Sequence, residues 1–380
     1  MTTLLELPST RQEGWRWSNL SALPSLAAGT GVGLANVGQL PWIDCGEAAA
    51  PRLLFVDGVL DAAHSRLGPV RVEQIGARAD DHPLARHVPD QGWRLRLGRD
   101  EAPAGPVQIV HISTGAADHL GAEVELDVDA QASVVETFIG EGWANRLTHF
   151  RLFKGARLML SRRLLGTSGF VSLTDRAVLG EGASLVAATL AAGAVDTRLD
   201  GRLQLAGEGA YAEYAGALLA RGAQRHDANL VVHHAVPNGT SRQLWRSVTD
   251  DQAVASVAAR VEVARGAQKT DGEQSLKGIM LSRTSTINLK PELEIFADDV
   301  KCAHGATVGE LDRNALFYLA SRGVSPEEAT GLLTRAFVAD VLDRIGEEAV
   351  REVLAGDVEA WFNPSPLAGE GGVRRQAVGG

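Results

Sequence analysis

From about Gly92 to Leu311 the chain runs as short segments rich in Val, Leu and Thr, separated by Gly and Ala turns. Hardly a stretch there keeps helical periodicity beyond two turns, and this texture predicts β-strands. A faint internal repeat overlies it. KGARLML from Lys154, EGASLVA from Glu181 and EGAYAEY from Glu208 place Gly-Ala pairs at 155, 182 and 209, in steps of 27. Another pair, Gly266 and Ala267, falls 57 residues further on, near two more steps, while other Gly-Ala pairs are out of phase. A period in the twenties with several short strands per repeat predicts a parallel β-helix, whose coils bury their faces only by stacking. The six-residue rhythm of hexapeptide coils does not fit.

The flanks read differently. In RQEGWRWSNLSAL, Trp15 and Trp17 stand two residues apart, cannot share one helical stripe, and are expected to pack on a domain junction. The Gly-rich stretch at 29–38 is not a dinucleotide loop: the sixth residue from Gly31 is Asn36 and no strand precedes it, so a flexible surface loop is expected. LLFVDGVLD, from Leu53, predicts two short strands around Asp57 and Gly58. After Asp312, a helix to Arg322 is capped by Asp312 and ended by Gly323. Ser325, Pro326 and Glu328 start the next helix, with Leu332, Leu333, Ala336, Phe337 and Val341 as its apolar stripe. That stripe is expected to seal the open end of the β-helix. Residues 363–380, rich in Gly and Pro, are expected to be a disordered tail. The expected organisation is mainly β: a mixed N-terminal domain at 1–90, a β-helix core at 91–312, a helical domain at 313–362, then the tail.

Composition narrows the function. A net charge of -10 argues against nucleic acid, which needs clustered Lys and Arg. Two cysteines, Cys45 and Cys302, make no disulfide framework and fit a reducing cytosol. MTTLLELPST lacks a basic n-region, and no window reaches the ~18 apolar residues of a membrane span, so a soluble, cytoplasmic protein is expected.

Candidate chemistry concentrates in Lys290–Gly309, KPELEIFADDVKCAHGATVG. Read as a strand, it sends Cys302 and His304 to one face and Lys301 and Ala303 to the other. A thiol beside an imidazole can hold a thiophilic metal or carry sulfur next to a base, but two groups leave a tetrahedral site incomplete. Either a partner supplies the rest or the pair is simply packing. Elsewhere, His233 and His234 diverge by alternation, one expected solvated and one packed against the turn at Pro237–Thr240. Gln274, Lys277 and Arg283 read as solvated coil edges. Asp250-Asp251 and Asp298-Asp299 read as turn formers, because adjacent strand carboxylates diverge and cannot face each other across a sugar. Cys45 reads as a passive thiol.

DDVKCAHGATVG, LFYLASRGVSPEEA from Leu316 and AFVADVLDRI from Ala336 closely resemble the C-terminal region of the SufD family of the SUF iron-sulfur cluster assembly system. KTDGEQSLKGIMLS from Lys269, KPELEI from Lys290 and PSTRQEGWRWSNL from Pro8 resemble the same family. The motif reads Cys-Ala-His-Gly-Ala-Thr, where the SufB branch typically carries Glu-His-Glu-Ala-Thr. The resemblance implies a right-handed β-helix between helical ends and a non-catalytic scaffold subunit pairing with a SufB-like paralogue. It also implies docking of a SufC-like ABC ATPase on the C-terminal helices and sulfur delivered from a cysteine desulfurase. It implies no permanently bound cofactor but an iron-sulfur cluster shared transiently with SufB, with His304 as iron ligand and Cys302 as thiol ligand or sulfur acceptor. ATP enters only through SufC, since the chain has no phosphate-binding loop. A homodimer in SufB's absence stays open, as do a purely structural adaptor and, more remotely, a polysaccharide-active β-helix enzyme.

Overall fold

The computed structural model describes residues 5–33, 39–75 and 80–362. A short helix α1 (Leu23–Ala27) precedes β1 (Arg52–Val56), β2 (Val59–Leu60), β3 (Val70–Gln74) and β4 (Gln91–Leu97). Two long strands follow, β5 (Val107–Leu126) and β6 (Gln131–Leu152). The chain then winds through β7 (Arg157–Leu164), β8 (Ser168–Leu179), β9 (Ser184–Ala191), β10 (Asp196–Leu205), β11 (Tyr211–Ala220) and β12 (Arg225–His234). It ends in β13 (Thr240–Thr249), β14 (Val254–Val263), β15 (Asp271–Met280), β16 (Thr286–Ile295) and β17 (Lys301–Gly309). Helices α2 (Arg313–Ser321), α3 (Pro326–Leu342) and α4 (Glu348–Phe362) complete it.

From β6 onward each strand lies parallel to the next but one, so two sheets wind together as a parallel β-solenoid. The even strands β8 to β16 form one face and the odd strands β7 to β17 the other, each starting on a different half of β6. The mainly β, parallel-coil expectation is met. β1 and β2 are the hairpin expected around Asp57 and Gly58, and β1 also lies parallel on β5.

The Gly-Ala repeat has a physical cause in this register. Ser184 pairs with Arg157 and Tyr211 with Ser184, 27 residues apart each time, while later coils lengthen: Thr240 pairs with Tyr211 and Asp271 with Thr240. At one corner of successive coils Asp129, Gly155, Gly182, Gly209, Asn238 and Lys269 all take φ between 59° and 69°. The N–H of Gly155 donates to Glu181 and that of Gly182 to Glu208, tying each coil to the next. Glycine adopts this left-handed corner without strain, and Ala156, Ala183 and Ala210 after it are fully buried. Gly266-Ala267 does not continue the column, because the longer coil puts Lys269 and Thr270 at the corner instead.

The solenoid interior is apolar in most rungs, with Leu158, Leu160, Leu173, Leu203 and Trp245 among its buried residues. It also holds a charged cluster. Arg162 donates to Glu136 at 2.7 Å and to Asp175 at 2.5 and 3.0 Å, and Tyr214 donates to Asp175. All of these side chains are buried, and the pairing is what makes buried charge tolerable.

Helices α3 and α4 lie on the side of the solenoid. Val338, Val341, Leu342, Leu354 and Val358 pack with Ala188, Leu190, Ala215, Ala217 and Leu219, the outward residues of β9 and β11. Arg163 clips α4 through two bonds to Asp357 at 2.6 and 2.9 Å, and Arg246 clips α3 through Asp340. This corrects two expectations. The stripe does not seal the end of the coil stack, because the small outward residues of β9 and β11 offer the closer fit. The buried face of α3 is Ala329, Gly331, Thr334, Val338, Val341 and Leu342, so of the predicted stripe Val341 is buried and Phe337 packs at the margin, while Leu332 is 40% exposed and Ala336 is exposed. The caps are as expected: Asp312 accepts from Asn314, Ser325 accepts from Glu328, and Gly323 takes φ 84° after α2.

Near the start of the chain, Trp15 packs with Leu23, Leu84, Trp143 and Phe170 against the outer face of β6 and β8, under Arg198 at 4.2 Å. Trp17 is half-buried. The expected loop at 29–38 falls partly, and the expected tail at 363–380 wholly, outside the described residues.

Candidate functional site

The last coil presents its interior to the outside. In β15, Gly272, Gln274, Leu276 and Gly278 are the inward, buried positions. Their register partners on β17 are Cys302, His304, Ala306 and Val308. Alternation therefore places Cys302 and His304 on one face, as the sequence predicts, and that face continues the solenoid's interior. Among the described residues, β17 pairs only with β15 and β16 only with β14, so both carry a free edge. Along β16 the inward positions Ile287, Leu289, Pro291 and Leu293 are only half-buried. Ile295, Phe296 and Val308 are exposed, the second by 60%. An apolar interior cut open beside two unpaired strand edges is a surface that costs free energy until another strand covers it.

Cys302 is half-buried among Val261, Val263, Ala267 and Val300. Its register partner is glycine, Gly272, where a Cβ would only just reach van der Waals contact with the thiol sulfur, at 3.4 Å. Burial pushes the thiol pKa up, and the Asp271 carboxylate adds to the effect. The thiol is thus protonated in the isolated chain, and a nearby cation would be needed to draw out the thiolate. His304 is exposed. Among the described residues no three His, Cys, Asp or Glu converge to hold a metal. The donor set, one thiol and one imidazole, suits iron or another thiophilic metal but supplies only half a tetrahedron.

The other sequence candidates fall as follows. His234 is fully buried against the turn, where a Cβ on Gly239 would come within 2.7 Å of its Nδ1, and its Nε2 meets Ser241 at 2.8 Å. His233, on the other face, is half-buried beside Glu262 at 3.4 Å. Lys277 and Arg283 are exposed as expected. Gln274 is not: it is 1% exposed and donates to Gln243 at 2.6 Å, which corrects its reading as a solvated edge. Its side chain points inward because it shares the parity of Gly272 and Leu276 on β15. Asp251, at φ 53°, and Asp298 and Asp299, in a bend, are turn residues. Cys45 is half-buried against the apolar cluster that holds α3 and α4, with burial raising its pKa. What sequence reasoning missed is the polar content of the interior: Gln243, Gln274, Glu136, Arg162 and Asp175. The only signal was parity, a polar residue in phase with buried Leu or Val on the same strand.

Residues 111–337 match the family described as SUF system FeS cluster assembly, SufBD core domain. The chain is 26% identical to the iron-sulfur cluster assembly protein SufD of Escherichia coli (strain K12), over 92% of this chain and 88% of that protein. It is 27% identical to an iron-sulfur cluster assembly SufBD family protein of Mycobacterium leprae, over 93% of this chain and 90% of that one. It is 30% identical to SufD of Bacillus subtilis, over 43% of this chain and 38% of that one. No described helix is long and apolar enough to cross a membrane.

Proposed function

The chain belongs to the SufBD family of the SUF iron-sulfur cluster assembly system, as a SufD-type protein, and we propose that it is a scaffold subunit completed by a SufB-like partner. The observation that carries this reading is the open last coil. Two free strand edges and a half-covered apolar interior fit the last coil of another β-solenoid, which would extend both sheets through main-chain hydrogen bonds. A paralogous partner would then bring its own ligands to face Cys302 and His304. In this reading iron and sulfide are cargo: His304 offers a ring nitrogen to iron, and Cys302 offers a thiolate to iron or accepts sulfur that originates from a cysteine desulfurase. Both groups release the cargo readily because neither side alone holds enough ligands.

Energy would come from outside the chain, which acts without catalysis of its own. Helix α2 buries none of its residues, leaving Phe317 76% and Tyr318 57% exposed, and this apolar face supports docking of a SufC-like ATPase. Motion of that docked partner would reach the solenoid through α3, which Arg246 and Asp340 tie to β13. The cytoplasm, where thiols stay reduced, is the proposed compartment.

A second reading, a structural adaptor without metal or sulfur ligation, is favoured by one observation: Cys302 is lodged among apolar side chains with its pKa raised. Pairing at the coil end is tested by co-expression with SufB-like and SufC-like partners. Val308→Asp, which places a charge on the free face of β17, should abolish recovery with the SufB-like subunit while the SufC-like subunit still co-purifies. Full recovery of the SufB-like subunit would place the interface elsewhere.

A further inference from the structure

Three inward residues stand at one register level of the odd-numbered sheet: Gln243 on β13, Gln274 on β15 and His304 on β17. Gln243 and Gln274 are each 1% exposed. The amide orientations are fixed from the far end. The carbonyl of Arg260 can only accept, so Gln243 turns its Nε2 to it, at 3.4 Å, and its Oε1 toward β15. That oxygen can only accept in turn, so Gln274 gives it Nε2, at 2.6 Å. The Oε1 of Gln274 is left at the other end of the relay, buried and without a hydrogen-bond partner. A buried acceptor without a donor costs free energy, and the register neighbour of Gln274 on the open side of the sheet is His304, whose imidazole can supply an N–H.

We infer that Gln274 is a positioning residue for His304: its Oε1 accepts from one ring N–H when a partner covers the last coil, and thereby presents the other ring nitrogen to iron. This deepens the scaffold reading and rests on its assignment of His304. The chemistry is that of an outer-shell hydrogen bond, which fixes a ligating imidazole's tautomer and orientation. The relay also explains why Gln274 resides inside the coil stack although two of its neighbours along the chain, Glu273 and Lys277, are exposed. Its amide transmits the polarity set at Arg260 to the open end.

The test is anaerobic titration of Fe²⁺ into the assembled complex with SufB-like and SufC-like partners, comparing wild type with Gln274→Met, Gln274→Glu and His304→Ala. Methionine keeps the volume and removes both ends of the amide; glutamic acid, which burial beside the Gln243 oxygen keeps protonated, donates its O–H to Gln243 and retains a carbonyl acceptor. The expected result is a loss of affinity of about 10- to 100-fold for Gln274→Met. Gln274→Glu should return to within a few-fold of wild type, with equal subunit recovery throughout. Unchanged affinity in Gln274→Met while His304→Ala weakens binding would overturn the positioning role and leave the role of His304 standing. An equal loss in Gln274→Met and Gln274→Glu would also overturn it, since packing rather than the acceptor would then matter. If His304→Ala itself binds Fe²⁺ like wild type, the underlying assignment of His304 fails.

Discussion

Gly216 on β11 and Trp245 on β13 occupy the same register level, and a methyl group on Gly216 would lie 2.3 Å from the indole ring. The absent side chain of one coil is the space that the largest side chain of the next one fills. Trp245 is fully buried and is anchored by its Nε1–H, which donates to the carbonyl of Tyr214 at 3.1 Å. Gly216→Ala should therefore destabilise the chain by about 1–3 kcal/mol, the usual cost of overpacking. The measurement is the urea midpoint, made also in a Trp245→Leu background, where the same alanine should cost far less. Equal costs in the two backgrounds would mean that the clash is relieved by movement of the coils.

Arg162 holds two carboxylates at once, so its removal strands both. Arg162→Met leaves Glu136 and Asp175 buried without their cation and should cost about 3–5 kcal/mol in denaturant unfolding. A midpoint unchanged from wild type would contradict this.

The same interior sets the response to acid in two windows. Burial alone would raise the Glu136 pKa, yet the Arg162 charge and His111 hold it down to about 2. A carboxyl with a depressed folded pKa stabilises above its unfolded value, about 4.3, and that contribution fades as pH falls toward 2. Burial lowers the His226 pKa to about 4 against the bond to the Leu219 carbonyl. Between about pH 6.5 and 4 the unfolded chain binds this proton and the folded chain does not, so stability falls as pH falls through that window. Urea midpoints at pH 7 and 4.5 should show a smaller drop for His226→Gln than for wild type, by an amount on the order of 2 kcal/mol. Parallel drops would show that His226 is protonated in the folded chain.

The winding of the coils was legible because it is repeated: Gly155, Gly182 and Gly209 recur at the step that the register later imposes. The face shared by Cys302 and His304 was legible because alternation is a local property of one strand. Gln274 was not, since only cross-coil register shows that it lies in the interior with Gln243. The orientation of α3 was legible only in part: Val341 is buried and Phe337 packs on the same cluster, whereas Leu332 and Ala336 face away. The stripe of Leu332, Leu333, Ala336, Phe337 and Val341 has the right spacing, but which neighbouring face of the helix is buried depends on the outward Ala215 and Ala217, more than a hundred residues away.

Cys302 should react slowly with iodoacetamide in the isolated chain, because burial and Asp271 keep its thiol protonated above the ordinary range. A Cys45→Ser background isolates its signal. The rate should rise with pH beyond the point at which a free thiol levels off, and should fall further when a SufB-like partner covers β17. Undiminished reactivity in the complex would mean that the coil end stays open to solvent.

The proposal that the open coil is half of an iron and sulfur site turns on His304. It is tested most directly by iron and acid-labile sulfide in the anaerobically purified complex with SufB-like and SufC-like partners, wild type against His304→Ala. The variant should assemble with all its partners while iron and sulfide both collapse. Intact assembly with unchanged iron and sulfide would contradict the proposal and leave a structural adaptor in which His304 and Cys302 only pack.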